Sequence, residues 1–152
     1  MRIEGEGFEL KPVFILREPL SRLKSAYALE LRRSSSSQTV RTFEEFATSR
    51  SAAVRTEYEK AVSALDAVFG DGEAYYSSYE SFFSKDNISH LCQFLGLDFE
   101  EPNFERVNAA KTPVVVDPDI EATIRRRFES TYDFAVKRFP GWNLEQAWNE
   151  FN

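Results

Sequence analysis

The residues with the most to offer chemically are Arg17, Arg22 and Ser25, in the stretch Val13-Phe-Ile-Leu-Arg-Glu-Pro-Leu-Ser-Arg-Leu-Lys-Ser-Ala-Tyr27. An apolar run ends on Arg17, a proline follows at position 19, and Ser25 stands eight residues beyond the arginine. That order places a guanidinium at the C-terminal end of a buried strand, beside the start of a helix. Both features draw phosphate. The first amides of a helix lack intrahelical acceptors and the helix dipole is positive there. A guanidinium adds a planar fork that bonds two oxygens of one anion. Ser25 lies one turn beyond Ser21, so the two hydroxyls share a helix face. The competing reading is structural: Arg17 paired with Glu18 or Glu80, Ser25 a small residue at a helix contact, and Arg22 solvated.

The elements that must carry these residues follow from periodicity. Residues 12–17 read as a buried strand. Residues 19–33 read as a helix with Pro19 in its first turn, where the missing N–H costs nothing. Leu20, Leu23, Tyr27 and Leu31 recur every three or four positions and mark its inner face. Residues 1–11 are expected to form an arm or loop, and residues 34–41, with the run Ser34 to Ser37, a flexible loop. Thr42, with Glu45 three residues on, is a capping box that opens a helix reaching residue 49. A further helix over 52–69, marked by Val54, Tyr58, Val62, Leu65 and Val68, stops at Gly70-Asp-Gly72. Residues 73–79 read as a second strand, and the order strand, helices, strand implies parallel pairing through a crossover. A helix over 84–95 ends at Gly96, and 97–116 is mostly loop. Asp117-Pro118 then opens a helix with the stripe Ile120, Ile124, Phe128, Tyr132, Ala135 and Phe139. Pro140-Gly141 ends it, and Trp142, Leu144, Trp148 and Phe151 suggest a closing segment or helix. The fold class is α/β, mostly helical, with a thin parallel sheet.

The pattern Arg17-x-Pro19-x-x-Arg22-x-x-Ser25-x-Tyr27 resembles the 3'-phosphate-binding motif of sulfotransferases, which use 3'-phosphoadenosine 5'-phosphosulfate (PAPS) as donor. Further along, Ala74-Tyr-Tyr-Ser-Ser-Tyr-Glu80 is similar to the later strand of that family, which ends in Tyr-Glu before a short helix. The stretch from Ile88 to Leu97 resembles its helix ending in Phe-Leu-Gly-Leu. Phe104 to Lys111 resembles the Val-Asn segment before its final helix. Order and spacing agree from residue 12 to residue 139. The resemblance implies a partial P-loop-like sulfotransferase fold, the later half of the usual domain. It also implies sulfuryl transfer from PAPS to a hydroxyl or amine, without a metal. On the same ground Arg17 and Ser25 hold the adenosine 3'-phosphate, Tyr79 lies near the adenine or belongs to the core, and Lys111 contacts the donor.

The family's first strand, its lysine-bearing phosphosulfate loop and its catalytic base have no counterpart here. None of the six lysines lies in a glycine-containing loop between a strand and a helix, and no catalytic residue is assigned. The expectation is a single partial domain over residues 1–152 that forms the 3'-phosphate side of a donor site. Its partners would be the nucleotide and either a second copy or a chain supplying the first half. The alternative is a catalytically incompetent truncated homologue that serves as a helical protein- or anion-binding module.

Composition sets the outer bounds. A net charge of −6 argues against general nucleic-acid binding, and 14 phenylalanines favour a packed core over disorder. The charge is uneven: residues 11–60 hold ten basic and six acidic side chains, and the phosphate-binding candidates Arg17 and Ser25 fall in that basic part. Cys92 is alone, so an internal disulfide is excluded and a reducing compartment is the simpler reading. The start of the chain lacks a signal-peptide core and no apolar run approaches a membrane span, so a cytoplasmic address without membrane contact is expected. A single histidine, His90, excludes His-rich metal sites. Arg125-Arg-Arg127 points to three sides of a helix and reads as solvated surface.

Overall fold

The computed structural model describes residues 10–34, 40–105 and 113–150. Lys111, residues 35–39 of the expected flexible loop and residues 1–9 of the expected arm lie outside the described residues. The order is β1 (Val13–Leu16), α1 (Pro19–Arg33), α2 (Phe43–Ala47), α3 (Arg50–Thr56), α4 (Tyr58–Phe69), β2 (Tyr75–Ser78), α5 (Tyr79–Phe82) and α6 (Lys85–Leu95). Then come α7 (Pro118–Arg127), α8 (Glu129–Arg138), a 3-10 turn (Pro140–Trp142) and α9 (Leu144–Glu150). Among the described residues the fold is mostly helical with one two-stranded parallel sheet. The chain divides into two compact units. One gathers the chain up to Leu16 with Lys60–Phe104, the other Arg17–Glu59 with the chain from Glu105 onward.

The first unit is built on the sheet. β1 and β2 pair in parallel from Val13↔Tyr75 to Leu16↔Ser78. Successive side chains of a strand point to opposite faces, and the two tyrosines of β2 use both. The Tyr75 hydroxyl donates to the Asn87 carbonyl of α6 at 3.0 Å, and its ring lies 5.7 Å from that of Phe94. The Tyr76 hydroxyl donates to Asp66 of α4 at 2.7 Å. Between α4 and β2 the chain turns at Gly70 (φ 105°) and Gly72 (φ 85°), a backbone region that a Cβ disfavours. Ser84 caps α6 by accepting the Asn87 amide, and Lys11 donates to the Phe94 carbonyl in its last turn at 3.1 Å.

The second unit packs α2, α3 and α7 against α1. Leu20, Leu23, Tyr27, Phe43, Phe46, Ala52, Ile124 and Phe128 form its buried core. Tyr27 sits at 5.5 Å from both the Phe43 and Phe46 rings and donates its hydroxyl to the Arg41 carbonyl at 2.7 Å. The capping box is present: the Glu45 amide donates to Thr42 Oγ1 at 3.2 Å, and the Thr42 amide to Glu45 Oε2 at 2.7 Å. Leu31, expected on the inner face of α1, is exposed, and Ala28 is buried in its place.

Two expected helices are each broken in two. The helix over 52–69 divides at Glu57, whose ψ of 74° leaves the helical region. Thr56 and Tyr58 are both buried, yet positions two apart face different sides of a continuous helix. The break lets both point inward, while Val54 and Val68 of the expected stripe are exposed. The helix after Asp117 divides at Phe128 (φ −104°, ψ 17°). Its stripe repeats every four residues, which overruns a 3.6-residue turn by about 40° per step. The break resets the phase, so that Ile124, Phe128, Ala135 and Phe139 are all buried.

Thr42→Ala removes the acceptor of the Glu45 amide and is expected to lower stability by about 1 kcal/mol. Urea unfolding should show a lower midpoint at unchanged slope, with Thr42→Ser restoring most of the loss.

Candidate functional site

Arg17 and Glu18 are the only residues between β1 and α1. Extended backbone alternates its side chains: Leu16 and Glu18 are both 0% exposed, whereas Arg17 is half-buried. The Arg17 Nε–H donates to Ser21 Oγ at 3.1 Å, and its carbonyl accepts the Tyr58 hydroxyl at 2.6 Å. Ser25 is exposed, one turn along α1 from Ser21. The guanidinium thus sits in the link before α1 and bonds the first of two hydroxyls spaced one turn apart along that helix. Arg22 has a structural task, its Nε–H donating to the Arg55 carbonyl at 2.9 Å.

The start of α1 differs from the expectation of unoccupied amides. Glu18 caps its own helix, with one carboxylate oxygen accepting the Ser21 amide at 2.5 Å. The other accepts from Arg125 Nη1 at 2.9 Å and from the Tyr132 hydroxyl. Arg125 also donates to the Tyr132 oxygen at 3.2 Å, closing a triangle of carboxylate, guanidinium and phenol. Arg125 is therefore not solvated surface, as the arginine run implied; Arg126 and Arg127 are exposed. Periodicity carried one signal for this cluster, since Arg125 and Tyr132 stand seven residues apart on one side of the α7–α8 segment. Nothing local tied either to Glu18. Burial pushes the Tyr132 hydroxyl far above its ordinary titration range, and the Glu18 charge and hydrogen bond add to the rise.

Of the other candidates, Tyr79 begins α5 in the sheet-based unit. It is half-buried, with its ring edge-on to Phe83 at 5.2 Å. Ser78 caps that helix by accepting the Glu80 amide at 3.2 Å and donates to the Glu80 carboxylate at 2.7 Å. Lys111 lies outside the described residues. His90 is exposed and Cys92 half-buried, both on α6. No helix of the described residues is long and apolar enough to cross a membrane. No protein-family model, curated protein or solved structure matches the chain.

Arg125→Met leaves the enclosed Glu18 carboxylate without its cation and is expected to destabilise the fold by about 3 kcal/mol, measured by urea unfolding. Tyr132 supplies a pH dependence. Its hydroxyl holds its proton more tightly in the folded state, so its contribution is complete below the free phenol value of about 10 and is lost as pH rises beyond it. Tyr75 is shifted the same way by burial, opposed in part by Ser77. From neutral pH the thermal midpoint should be level up to that point and then fall, and Tyr132→Phe should flatten part of the fall.

Proposed function

We propose that this chain is a sulfotransferase-family protein with a partial P-loop-like fold, and that it forms the side of a PAPS site that holds the adenosine 3'-phosphate. The observation that carries the reading is the placement of Arg17. Its guanidinium follows the end of β1 and is held through Nε by Ser21, and Ser21 in turn lies one helical turn before the exposed Ser25. Parallel pairing of β1 with a second strand that leads into Tyr79-Glu80 supports the same reading.

In this assignment Arg17 balances the 3'-phosphate charge and Ser25 donates a hydroxyl to it. The resemblance alone assigns Tyr79 to the adenine and Lys111 to the donor. The reaction is an in-line displacement. An acceptor hydroxyl or amine forms a bond to sulfur, the bond from sulfur to the 5'-phosphate oxygen breaks, and 3'-phosphoadenosine 5'-phosphate leaves. The acceptor proton passes to a base. This chain contributes positioning and charge compensation, which dominate catalysis in transfers of this kind. A two-stranded sheet leaves edges on which further strands can add. We therefore place beside it a second copy or a chain bearing the phosphosulfate loop. The lone cysteine agrees with a cytoplasmic setting.

The test is calorimetry of the chain with 3'-phosphoadenosine 5'-phosphate. Arg17→Ala should weaken binding by about 1.5–3 kcal/mol, the value of a hydrogen bond to a charged group. Adenosine 5'-phosphate, lacking the 3'-phosphate, should bind wild type and variant alike. Equal affinity of both proteins for the bisphosphate would remove the assignment.

A further inference from the structure

We propose that a cleft between the outer face of α1 and the segment 40–55 binds a small organic anion with an apolar body, of the aryl or alkyl phosphate kind. The cleft has a volume of ≈ 720 Å³, within the range of small-molecule sites. Leu29, Val40 and Phe46 form its apolar wall, and Arg33, Arg41 and Arg55 its charged one. None of these residues belongs to the Arg17 site, and the inference does not rest on the sulfotransferase reading.

The three arginines are not equivalent. Arg41 is matched: its Nε and Nη2 each donate to the Glu30 carboxylate at 2.7 Å, and its guanidinium carbon lies 4.9 Å from the centre of the Phe46 ring. Those hydrogen bonds hold the Glu30 carboxyl below the ordinary carboxylate range against the opposing effect of burial, and the fields of Arg41 and Arg55 add to this. The pair is therefore ionised at neutral pH and forms a fixed, stacked rim.

Arg33 and Arg55 are both exposed. The Arg33 side chain has no hydrogen bond or ion pair with another described residue, and the Arg55 side chain gives one N–H to the Ser51 carbonyl at 2.8 Å. With Glu30 as the only acid, the lining carries a net charge of plus two. Beside those charges, Leu29 and Val40 each leave 37% of their surface in water. Inorganic phosphate would satisfy the cations and leave these side chains wet. A neutral hydrophobe would cover them and leave the cations unmatched. An anion with an apolar body answers both.

The experiment titrates the whole chain with 1-naphthyl phosphate, inorganic phosphate and 1-naphthol by calorimetry. Naphthyl phosphate is expected to bind about tenfold or more tightly than either comparison compound. The double variant Arg33→Gln/Arg55→Gln should lose about tenfold or more of that affinity. Both side chains are exposed, so its circular dichroism and thermal midpoint should match wild type. Arg17→Ala should leave naphthyl phosphate binding unchanged. The proposal is overturned by an absence of binding at millimolar probe, by equal affinity for 1-naphthol, by an unaltered double variant, or by loss of binding in Arg17→Ala alone.

Discussion

The unit built on α1 depends on one enclosed carboxylate. Glu18 has no contact with water and is satisfied by three donors: an amide of its own helix, the guanidinium of Arg125 and the phenol of Tyr132. Taking a charge out of water costs several kcal/mol, about what a well-made pair returns, so the net gain in stability is small. What the carboxylate fixes is placement. Any arrangement that withdraws a donor leaves buried charge without compensation. The beginning of α1 and the α7–α8 segment, more than a hundred residues apart in sequence, are held in one mutual position by this requirement. Glu18 also settles where Arg17 goes. With the carboxylate turned inward, the alternation of extended backbone sends the preceding side chain the other way.

Helix α1 serves three surroundings at once, divided by its 3.6-residue period. Leu20, Leu23 and Tyr27 enter the core. Ser21 and Ser25 make a polar line that starts at Arg17. Ala26, Leu29, Glu30 and Arg33 form one wall of the charged cleft. Such crowding needs a helix that cannot rotate about its axis. Buried Leu23 and Tyr27, together with the Glu18 cap, supply that constraint. Lys24 adds an ion pair to Glu121 of α7, and Arg22 a hydrogen bond to the end of α3.

What was legible in the sequence was local. The bounds of α1, the Thr42 capping box, the stop of α6 at Gly96 and the parallel pairing follow from side-chain period and cap chemistry, which act over a few residues. The one-turn spacing of Ser21 and Ser25 on α1 was legible for the same reason. The breaks at Glu57 and Phe128 were not, because each reconciles burial on two sides, and the apolar pattern alone fits a continuous helix. Nor was Arg125. Inside Arg125-Arg-Arg127 it looks like its neighbours, and only the distant Glu18 separates it from them. The cleft escaped notice because Arg33, Arg41 and Arg55 come from two helices and the chain between them, with no common spacing. Tyr79 belongs to the sheet-based unit, and no period links it to α1.

The two neighbouring tyrosines of β2 have a consequence for how the sheet is aligned. A ladder of four residues is too short to select its own alignment strongly, and sliding one strand by a single position reverses the face of every side chain. Here a slip would carry the Tyr75 hydroxyl away from the α6 carbonyl and the Tyr76 hydroxyl away from the α4 carboxylate in the same movement. Both phenols would then be stranded on the wrong side. Adjacent side chains with opposite destinations act as a two-pin key, and the small sheet closes in one way only.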